Sequence, residues 1–262
     1  MQTGLYVVGT PIGNLGDFSP RAVETLRGAD LVLCEDTRVA GKLLGRFGIK
    51  ARLAVFAEHN EQTALEPIVR KIRDGMAVAL ISDSGMPCVS DPGFRLVRAC
   101  RGENLSVFIA PGPTAAVSAL VLSGFPTDKW TFLGFFRGEK ELAEDNRIRH
   151  TLIYYESPNR IMTTIGLVAK IMPERKIAIV REITKLHEEA IIGYPADLMN
   201  IKPPKGEIVL VIAPAPALKI TDDEIRDIVS GVVGLKTKNA AAEIAERTGI
   251  SKREAYKRAL GK

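Results

Sequence analysis

The sequence predicts an α/β fold made of two α/β domains, followed by a small helical segment. Three observations predict it. Short apolar runs alternate with helix-like segments, a Pro-Gly-Pro break at Pro111–Pro113 divides the alternation, and an Ala-Pro-Ala-Pro linker at Ala213–Pro216 precedes a basic end. Regular alternation of strands and helices is typical of a largely parallel sheet with helices on both faces. The predicted domains are residues 1–112, 113–216 and 217–262.

In the first domain each strand is a short apolar run, and the helices carry start or stop signals. Ser19 caps the first helix, Asn60 caps the third, and Gly48 stops the second. Met76–Ile81 is continuously apolar, as expected of a strand buried on both faces. The predicted elements are strands at Leu5–Gly9, Leu31–Cys34, Arg52–Phe56, Met76–Ile81 and Ser106–Ala110, and helices at Pro20–Arg27, Val39–Phe47, Glu61–Arg73 and Phe94–Arg101.

The second domain continues the alternation, and the chain then ends in helices. A helix of small residues, Thr114–Leu122, follows the break, and Glu189–Gly193 is predicted as a strand in an antiparallel part of the second sheet. Beyond the linker, capping boxes at Thr221–Glu224 and Ser251–Glu254 flank an alanine-rich helix at Ala240–Thr248, which outlines a helix-turn-helix. The other predicted elements are strands at Thr131–Phe135, Thr151–Glu156, Lys176–Arg181 and Glu207–Ile212, and helices near Glu139–Arg149, Asn159–Ile171 and Ala196–Met199.

The positive charge is concentrated at the carboxyl end. The 262 residues are 46% hydrophobic and 26% charged, an ordinary globular mixture that excludes a disordered chain. The net charge is +5, and the last 27 residues hold eight basic residues against three acidic ones, so they carry the whole excess. A neutral body with a basic end predicts an anionic partner, with nucleic acid the leading candidate. A solvated basic helix without a partner is the alternative.

Cysteine usage and the apolar runs predict a cytoplasmic protein. Cys34, Cys88 and Cys100 lie far apart with no C-x-x-C spacing, which favours buried thiols over disulfides or a zinc site. The three histidines occupy unrelated positions, and no metal site is predicted. The longest weakly polar run, Ala115–Leu122, is far shorter than the roughly 20 residues of a membrane helix. No membrane association is therefore expected.

Three glycine- and proline-rich loops follow predicted strands of the first domain: Gly9–Leu15, Ser82–Gly93 and Pro111–Ala115. Ligands of open parallel sheets bind outside the carboxyl ends of the strands, glycine lets the backbone approach a ligand, and proline fixes a loop. The three loops together predict a small-molecule site, whereas one alone would be a tight turn. Asp83 or Asp91 is expected to take a ribose hydroxyl or an ammonium group. The loops match neither the phosphate-binding nor the dinucleotide-binding fingerprint.

Acidic and basic residues lie close together after three other apolar runs, in Glu35–Arg38, Glu156–Arg160 and Arg181–Lys185. These are either structural ion pairs or a cleft edge that binds phosphate through arginine and positions a hydroxyl through a carboxylate. His59 ends the third predicted strand and lies on the same edge.

Taken in order, the motifs resemble those of the tetrapyrrole methylase superfamily. They read T-P-I-G-N-L, E-D-T-R, S-D-S-G-M-P…S-D-P-G, P-G-P-T-A, Y-E-S-P-N-R and R-E-I-T-K. They are most similar to the superfamily members that methylate a cytidine ribose 2′-hydroxyl in small-subunit (16S) ribosomal RNA. The resemblance implies S-adenosylmethionine in a cleft between two α/β domains (class III methyltransferase-like), a homodimer, and small-subunit rRNA or the 30S subunit as partner.

The resemblance assigns cofactor-binding residues, and the chemistry of methyl transfer to a hydroxyl calls for a base. The cofactor residues implied are Pro11, Asp83, Ser84, Gly85, Thr114, Ala115 and Tyr155. The candidate bases, among which the sequence does not choose, are His59, Asp36, Glu156 and Glu182. The candidate RNA-binding residues are Arg38, Arg160, Arg181 and Lys185 near the cleft and Lys252, Arg253, Lys257 and Arg258 in the basic end.

Two departures from the family pattern bear on these assignments. Met86 stands where close relatives often have threonine, so no polar contact is expected from its side chain. The first loop differs from the V-G-x-G-P-G form of enzymes that act on tetrapyrroles. A methyltransferase acting on an anionic small molecule such as a tetrapyrrole is the alternative enzyme, and a non-catalytic nucleic-acid-binding protein is the alternative outside enzymes.

Overall fold

The computed structural model describes residues 1–216, 237–248 and 252–260. The chain divides into two units, Met1–Pro214 and Ala215–Lys262, with the boundary inside the Ala213–Pro216 segment. Across the described ranges, every helix is too short or too polar to cross a bilayer.

The first sheet of the larger unit is parallel throughout. Its strands are β1 (Gly4–Val8), β2 (Leu31–Cys34), β3 (Leu53–Val55), β4 (Ala77–Leu80) and β5 (Val107–Ala110), in the spatial order β3-β2-β4-β1-β5. The connecting helices are α1 (Pro20–Gly28), α2 (Thr37–Arg46), α3 (Glu61–Arg73) and α4 (Phe94–Gly102). Strands β2 and β4 are buried at every position, because helices cover both faces of the sheet. The predicted parallel sheet with helices on both faces is confirmed, whereas the predicted boundary at residue 112 stays a prediction.

The second sheet is mixed. Its strands are β6 (Trp130–Phe135), β7 (Thr151–Glu156), β8 (Ile177–Arg181), β9 (Glu189–Gly193) and β10 (Ile208–Ile212), in the order β6-β7-β10-β8-β9. Only β6 and β7 pair in parallel; β10 runs antiparallel to both β7 and β8, and β9 antiparallel to β8. The helices are α5 (Ala115–Ser123), α6 (Glu139–Asp145), α7 (Ile161–Ile171) and α8 (Pro195–Leu198). Helix α5 packs on one face, and α6, α7 and α8 pack on the other.

Most helix bounds lie within one or two residues of the sequence expectation, and two of the differences have an identifiable physical reason. Helix α2 begins at Thr37 rather than Val39, because the Asp36 carboxylate accepts the Arg38 N–H at 2.7 Å and caps the helix. Helix α6 ends at Asp145 rather than Arg149. The chain beyond α6 is held by the buried Arg175, whose guanidinium donates to the carbonyl oxygens of residues 148, 150 and 213. Burial lowers the pKa of Arg175 to about 10.

The smaller unit contains α9 (Thr237–Thr248) and α10 (Lys252–Ala259). Small apolar side chains join the two helices, with Ala240, Ala241, Ile244 and Ala255 buried between them. The predicted capping box at Thr221–Glu224, the turn at Gly249 and the cap at Ser251 lie outside the described residues.

Candidate active site

A cleft of about 660 Å³ lies between the carboxyl-terminal loops of the first sheet and one face of the second sheet. That volume is typical of sites for small molecules. We call the wall that is formed by residues 84–91 and the start of α5 the first wall. We call the opposite wall, which is formed by residues 155–158, 182–185 and 206–209, the second wall. All three predicted loops contribute to the cleft, through Ile12, Ser84–Met86 and Thr114.

The loops of the first wall approach so closely that glycine is required. A Cβ on Gly9 would lie 2.6 Å from the Gly112 backbone and 2.6 Å from Met86 Sδ. The Gly112 N–H donates a hydrogen bond to Met86 Sδ at 3.2 Å. The expectation that the Met86 side chain makes no polar contact was wrong, because a thioether sulfur is a weak acceptor that can serve one backbone donor.

Thr10 holds the Ser82–Gly93 loop from inside. It is fully buried, its N–H donates to the Gly85 carbonyl at 2.9 Å, and its hydroxyl donates to the Ser82 carbonyl at 3.2 Å. The Ser82 hydroxyl is turned back on the same loop and lies 3.2 Å from the Ser84 carbonyl. These short hydroxyls therefore fix the shape of the loop.

Three carboxyl groups lie near one another at the first wall, one within it and two behind it. Asp91 lines the cleft, Asp83 is exposed beside it, and Glu35 accepts a hydrogen bond from the Asp83 N–H. Burial, followed by the charge of Glu35, raises the pKa of Asp91 to about 6, although the nearby Ser82 hydroxyl acts in the opposite direction. Burial also raises the pKa of Glu35. Within the described part of the chain, none of the three carboxyl groups forms an ion pair.

The second wall presents an aromatic side chain to the cleft. The Tyr155 ring lies edge-on to Phe132 and Phe135, with ring centroids 4.8 Å and 5.5 Å away. Its hydroxyl accepts the N–H of Ala116 in the first turn of α5, and burial raises its pKa. Tyr155 therefore ties the second sheet to the helix that leaves the Pro-Gly-Pro loop.

Glu156 is a buried carboxylate in the same wall. Its side chain is 0% exposed and accepts two hydrogen bonds, from the Thr164 hydroxyl at 2.6 Å and the Ser157 N–H at 2.7 Å, and it forms an ion pair with Arg160 Nη2 at 2.7 Å. A buried charge needs such partners, because desolvation is otherwise unfavourable.

Lys185 lies between two more carboxylates of the second wall. Its Nζ is 2.9 Å from Glu182 Oε1 and 3.0 Å from Glu207 Oε2, and the Glu207 N–H also donates to Glu182. The hydrogen bond from Lys185 lowers the pKa of Glu182. Burial alone would lower the pKa of Lys185, but its bonds to Glu182 and Glu207 outweigh burial and raise it. Position 206 requires glycine, because a Cβ there would overlap the Glu182 carboxylate.

Comparison with known proteins identifies this architecture. The family model of Tetrapyrrole (Corrin/Porphyrin) Methylases matches residues 4–198, three quarters of the chain. The chain belongs to the tetrapyrrole methylase family. A second family model, the RsmI C-terminal HTH domain, matches residues 233–262.

Relatives within the family match along nearly the whole chain. A protein of Mesorhizobium japonicum named ribosomal RNA small subunit methyltransferase I is 41% identical, covering 99% of this chain and 92% of its own length. A protein of the same name from Erythrobacter litoralis is 43% identical over 99% and 95%. The crystal structure of diphthine synthase matches at 14% identity with a TM-score of 0.63, covering 80% and 89% of the two chains. The last match confirms the predicted fold.

Five of the seven cofactor residues that the family resemblance predicts line the cleft: Ser84, Gly85, Thr114, Ala115 and Tyr155. Pro11 and Asp83 lie beside it, outside the lining. The lining fits S-adenosylmethionine, because an aromatic ring and apolar side chains suit a purine and polar backbone and hydroxyl groups suit the methionine end. Thr114 in particular stands at the N-cap of α5 without a capping hydrogen bond, which leaves its hydroxyl available to a ligand. The seven assignments stay predictions.

The structure separates the four candidate bases. Glu156 and Glu182 line the cleft, whereas His59 and Asp36 do not. His59 is exposed. Asp36 is bound by Arg38 at 2.6 Å, and that hydrogen bond lowers the pKa of Asp36 to about 2, which makes it a weak base.

The candidate RNA-binding residues near the cleft form the ion pairs that the motifs allow. Arg38 pairs with Asp36, Arg160 with Glu156, Arg181 with Glu189, and Lys185 with Glu182. The side chains of Arg38 and Arg160 are nevertheless 85% and 55% exposed, whereas those of Arg181 and Lys185 are largely covered. In the basic end, Arg253 and Lys257 are exposed, Arg258 lies 3.0 Å from Glu254, and the Lys252 side chain is outside the described part.

Glu207 and Gly206 were missed as site residues by sequence reasoning. In the sequence Glu207 stands at the start of an apolar run and carries no other signal, and its partner Lys185 lies 22 residues away. Asp91 was expected as a contact for a ribose or an ammonium group, and only the fold shows that it is the first wall's cleft-lining carboxyl.

Proposed function

We propose that this chain transfers a methyl group from S-adenosylmethionine to the 2′-hydroxyl of a cytidine ribose in small-subunit (16S) ribosomal RNA. The observation that carries the proposal is the two-walled cleft, in which the family's loops and Tyr155 meet. The match over 99% of the chain to proteins named for small-subunit rRNA methylation supports the RNA substrate. The cytoplasm, where small subunits assemble, is the proposed location.

S-adenosylmethionine, when bound, supplies a methyl group already activated by its sulfonium. The chain's own residues position the reactants, and positioning can account for much of the acceleration. Tyr155 and the apolar side chains of Ile183 and Val209 form a dry surface for a purine. Ser84, Gly85 and Thr114 offer polar groups on the opposite side. A 2′-oxygen entering between the walls then needs a group to accept its proton.

The basic carboxyl-terminal unit is proposed to hold the RNA. Arg253 and Lys257 are exposed on α10, where they are available to phosphates. We expect Arg253→Glu with Lys257→Glu to weaken binding of 30S subunits at least tenfold and to reduce the salt dependence of binding, because two phosphate contacts are lost. Affinity for S-adenosylmethionine, measured by calorimetry, should stay unchanged. Equal RNA affinity across a salt series would assign the unit a purely structural role.

We further propose that the protein is a homodimer. Apolar side chains are exposed on α5 and on the edge strand β5, with Val121 68%, Ile109 56% and Val117 45% exposed. An exposed apolar patch beside an open sheet edge suits a second copy of the chain. Sedimentation should give twice the 28.5 kDa chain mass, and a species of the chain mass would refute the dimer.

The experiment for the main proposal is incubation of the protein with S-adenosylmethionine and unmodified 30S subunits. Mass spectrometry of the digested rRNA should show one methyl group gained on a cytidine ribose. Free 16S rRNA in a parallel reaction distinguishes the two RNA substrates. Methylation of a tetrapyrrole, with none of the RNA, would support the alternative enzyme.

A further inference from the structure

We propose that Asp91 is the general base that accepts the proton of the RNA 2′-hydroxyl, an inference that rests on the proposed function. Asp91 was not among the four bases that the sequence suggested. The structure favours it through its place in the cleft, the partners of the other cleft carboxylates and the backbone that carries it.

The cleft is lined by four carboxyl side chains: Asp91, Glu156, Glu182 and Glu207. The three glutamates belong to the second wall, and each is bound to Arg160 or Lys185 at 2.7–3.0 Å. A carboxylate held by a cation binds a proton weakly. The nearby Ser82 hydroxyl only partly offsets the raised pKa of Asp91, and within the described residues no cationic side chain lies within 4.0 Å of the carboxyl group. It therefore retains acceptor capacity for a new donor.

The backbone around Asp91 is held in an unusual conformation. Cys88 and Ser90 have φ angles of 70° and 65°, in the left-handed region that residues with a Cβ rarely adopt. The loop is anchored beyond Asp91, where the Gly93 N–H donates to Glu61 Oε1 at 3.2 Å. Strain that the surrounding structure maintains is typical of functional sites, and Asp91 directly follows this strained segment.

The surroundings of Asp91 give it suitable basicity. Burial and the neighbouring Glu35 and Asp83 raise its pKa to about 6, against an ordinary value of 3.8. Tyr155 and Cys88 face it as neutral groups, because their own pKa values are raised by burial. At pH 7.5 Asp91 is mostly ionised, yet it accepts a proton more readily than an ordinary aspartate.

The proposed step balances. The 2′-oxygen forms a bond to the methyl carbon, the carbon–sulfur bond of the donor breaks with its electron pair going to sulfur, and the hydroxyl proton passes to an Asp91 carboxyl oxygen. Water then takes that proton after release of the product.

The test compares Asp91→Asn with Asp74→Asn in the full-length protein. Asp74 is exposed and precedes β4, whereas Asp91 follows it, so the two residues lie on opposite edges of the first sheet. We expect the single-turnover rate on 30S subunits, at saturating S-adenosylmethionine, to fall about 10²–10⁴-fold for Asp91→Asn and to stay unchanged for Asp74→Asn. The wild-type rate should rise tenfold per pH unit below about pH 6 and then level off. Asp91→Asn should lose this dependence.

Two readouts besides activity exclude other roles. The dissociation constant for S-adenosylmethionine, measured by calorimetry, should change less than threefold. The melting temperature of Asp91→Asn at pH 7.5 should rise on the order of 1–3 °C, because a half-buried charge is removed. The sign follows from the raised pKa: the folded protein binds this proton more tightly than the unfolded chain, so ionised Asp91 opposes folding at that pH.

The outcomes separate this inference from the proposed function. If the wild type methylates the rRNA and Asp91→Asn does so at the full single-turnover rate, the base assignment is refuted while the function stands. Weaker S-adenosylmethionine binding, with a normal rate at saturation, would instead make Asp91 a donor-binding residue. If the wild type itself leaves rRNA unmodified, the proposed function fails first.

Discussion

The carboxylates at the two walls of the cleft differ in their ion pairing and in the direction of their pKa shifts. At the first wall, Asp91 and its neighbours Glu35 and Asp83 form no ion pair among the described residues, and the pKa values of Glu35 and Asp91 are raised. On the second wall Glu156 and Glu182 are each bound to a nearby cation, and the pKa of Glu182 is lowered. The same residue types, in similar sequence motifs, therefore have different chemistry.

The difference reflects the two sheets. The parallel first sheet brings acidic loops to one edge, as parallel strands do, and leaves them beside the cleft. The mixed second sheet uses its acids to fix the loops after β7 and β8. A carboxylate that fixes a loop should affect stability when changed, whereas one that takes part in the reaction should affect rate. This contrast can be tested one residue at a time.

The largest stability effect should come from the second wall, at Thr164. Its hydroxyl donates to the buried Glu156 carboxylate at 2.6 Å, and valine has the same shape without the donor. We expect Thr164→Val to lower the free energy of unfolding by about 1–3 kcal/mol, because a buried charged acceptor loses a partner. Thr163, the exposed neighbour in α7, supplies the control, and Thr163→Val should change stability by about 0.5 kcal/mol or less.

Urea titration of these two variants measures the difference. Equal stability of Thr164→Val and Thr163→Val would show that Glu156 does not depend on its partners, and the contrast between the walls would then be lost. If Thr164→Val lowers stability at pH 7.5 while Asp91→Asn raises it, the contrast between the two walls is established.

A smaller, pH-dependent effect is expected at Lys185. Lys185→Met removes the cation that lowers the pKa of Glu182. A lowered folded-state pKa contributes stability above the ordinary value of 4.5, and that contribution is lost as the pH falls. The variant should therefore be less stable than the wild type by about 0.5–1 kcal/mol at pH 7, and by less at pH 3.

Lys170→Met is the control for Lys185→Met, because Lys170 pairs with Glu139 at 2.6 Å on the surface, with 67% of its side chain exposed. Thermal melts at pH 3, 5 and 7 should show little change for Lys170→Met. A Lys185→Met deficit that is constant with pH would mean that lost packing, rather than the ion pair, explains it.

The sequence predicts the elements better than the chemistry of the cleft. Continuous apolar runs identify β2 and β4, because a strand covered on both faces has no polar position. The role of Asp36 was not predictable, because capping α2 and binding a ligand use the same residue type at a strand end.

The sequence names Asp91 as a candidate ligand-binding acid, but it does not distinguish Asp91 from Asp83. Asp83 and Asp91 occur in similar S-D contexts, and Asp91, which lines the cleft, follows a left-handed backbone at Cys88 and Ser90. No residue type at those two positions signals that conformation. The pairing of Lys185 with Glu207 likewise depends on the antiparallel neighbours β8 and β10, which the alternation of elements does not reveal.

The smallest stability effect is expected at Arg38, in the first turn of α2. Its side chain is 85% exposed and bound to Asp36 in a surface pair, so Arg38→Gln should leave the urea midpoint of unfolding essentially unchanged. If Arg38 contacts an RNA phosphate, the same variant should reduce the slope of binding against salt by about one unit. Arg46→Gln, an exposed arginine at the far end of α2, is the control. Unchanged salt slopes for both variants would leave Arg38 a capping partner of Asp36 and assign phosphate binding to other residues.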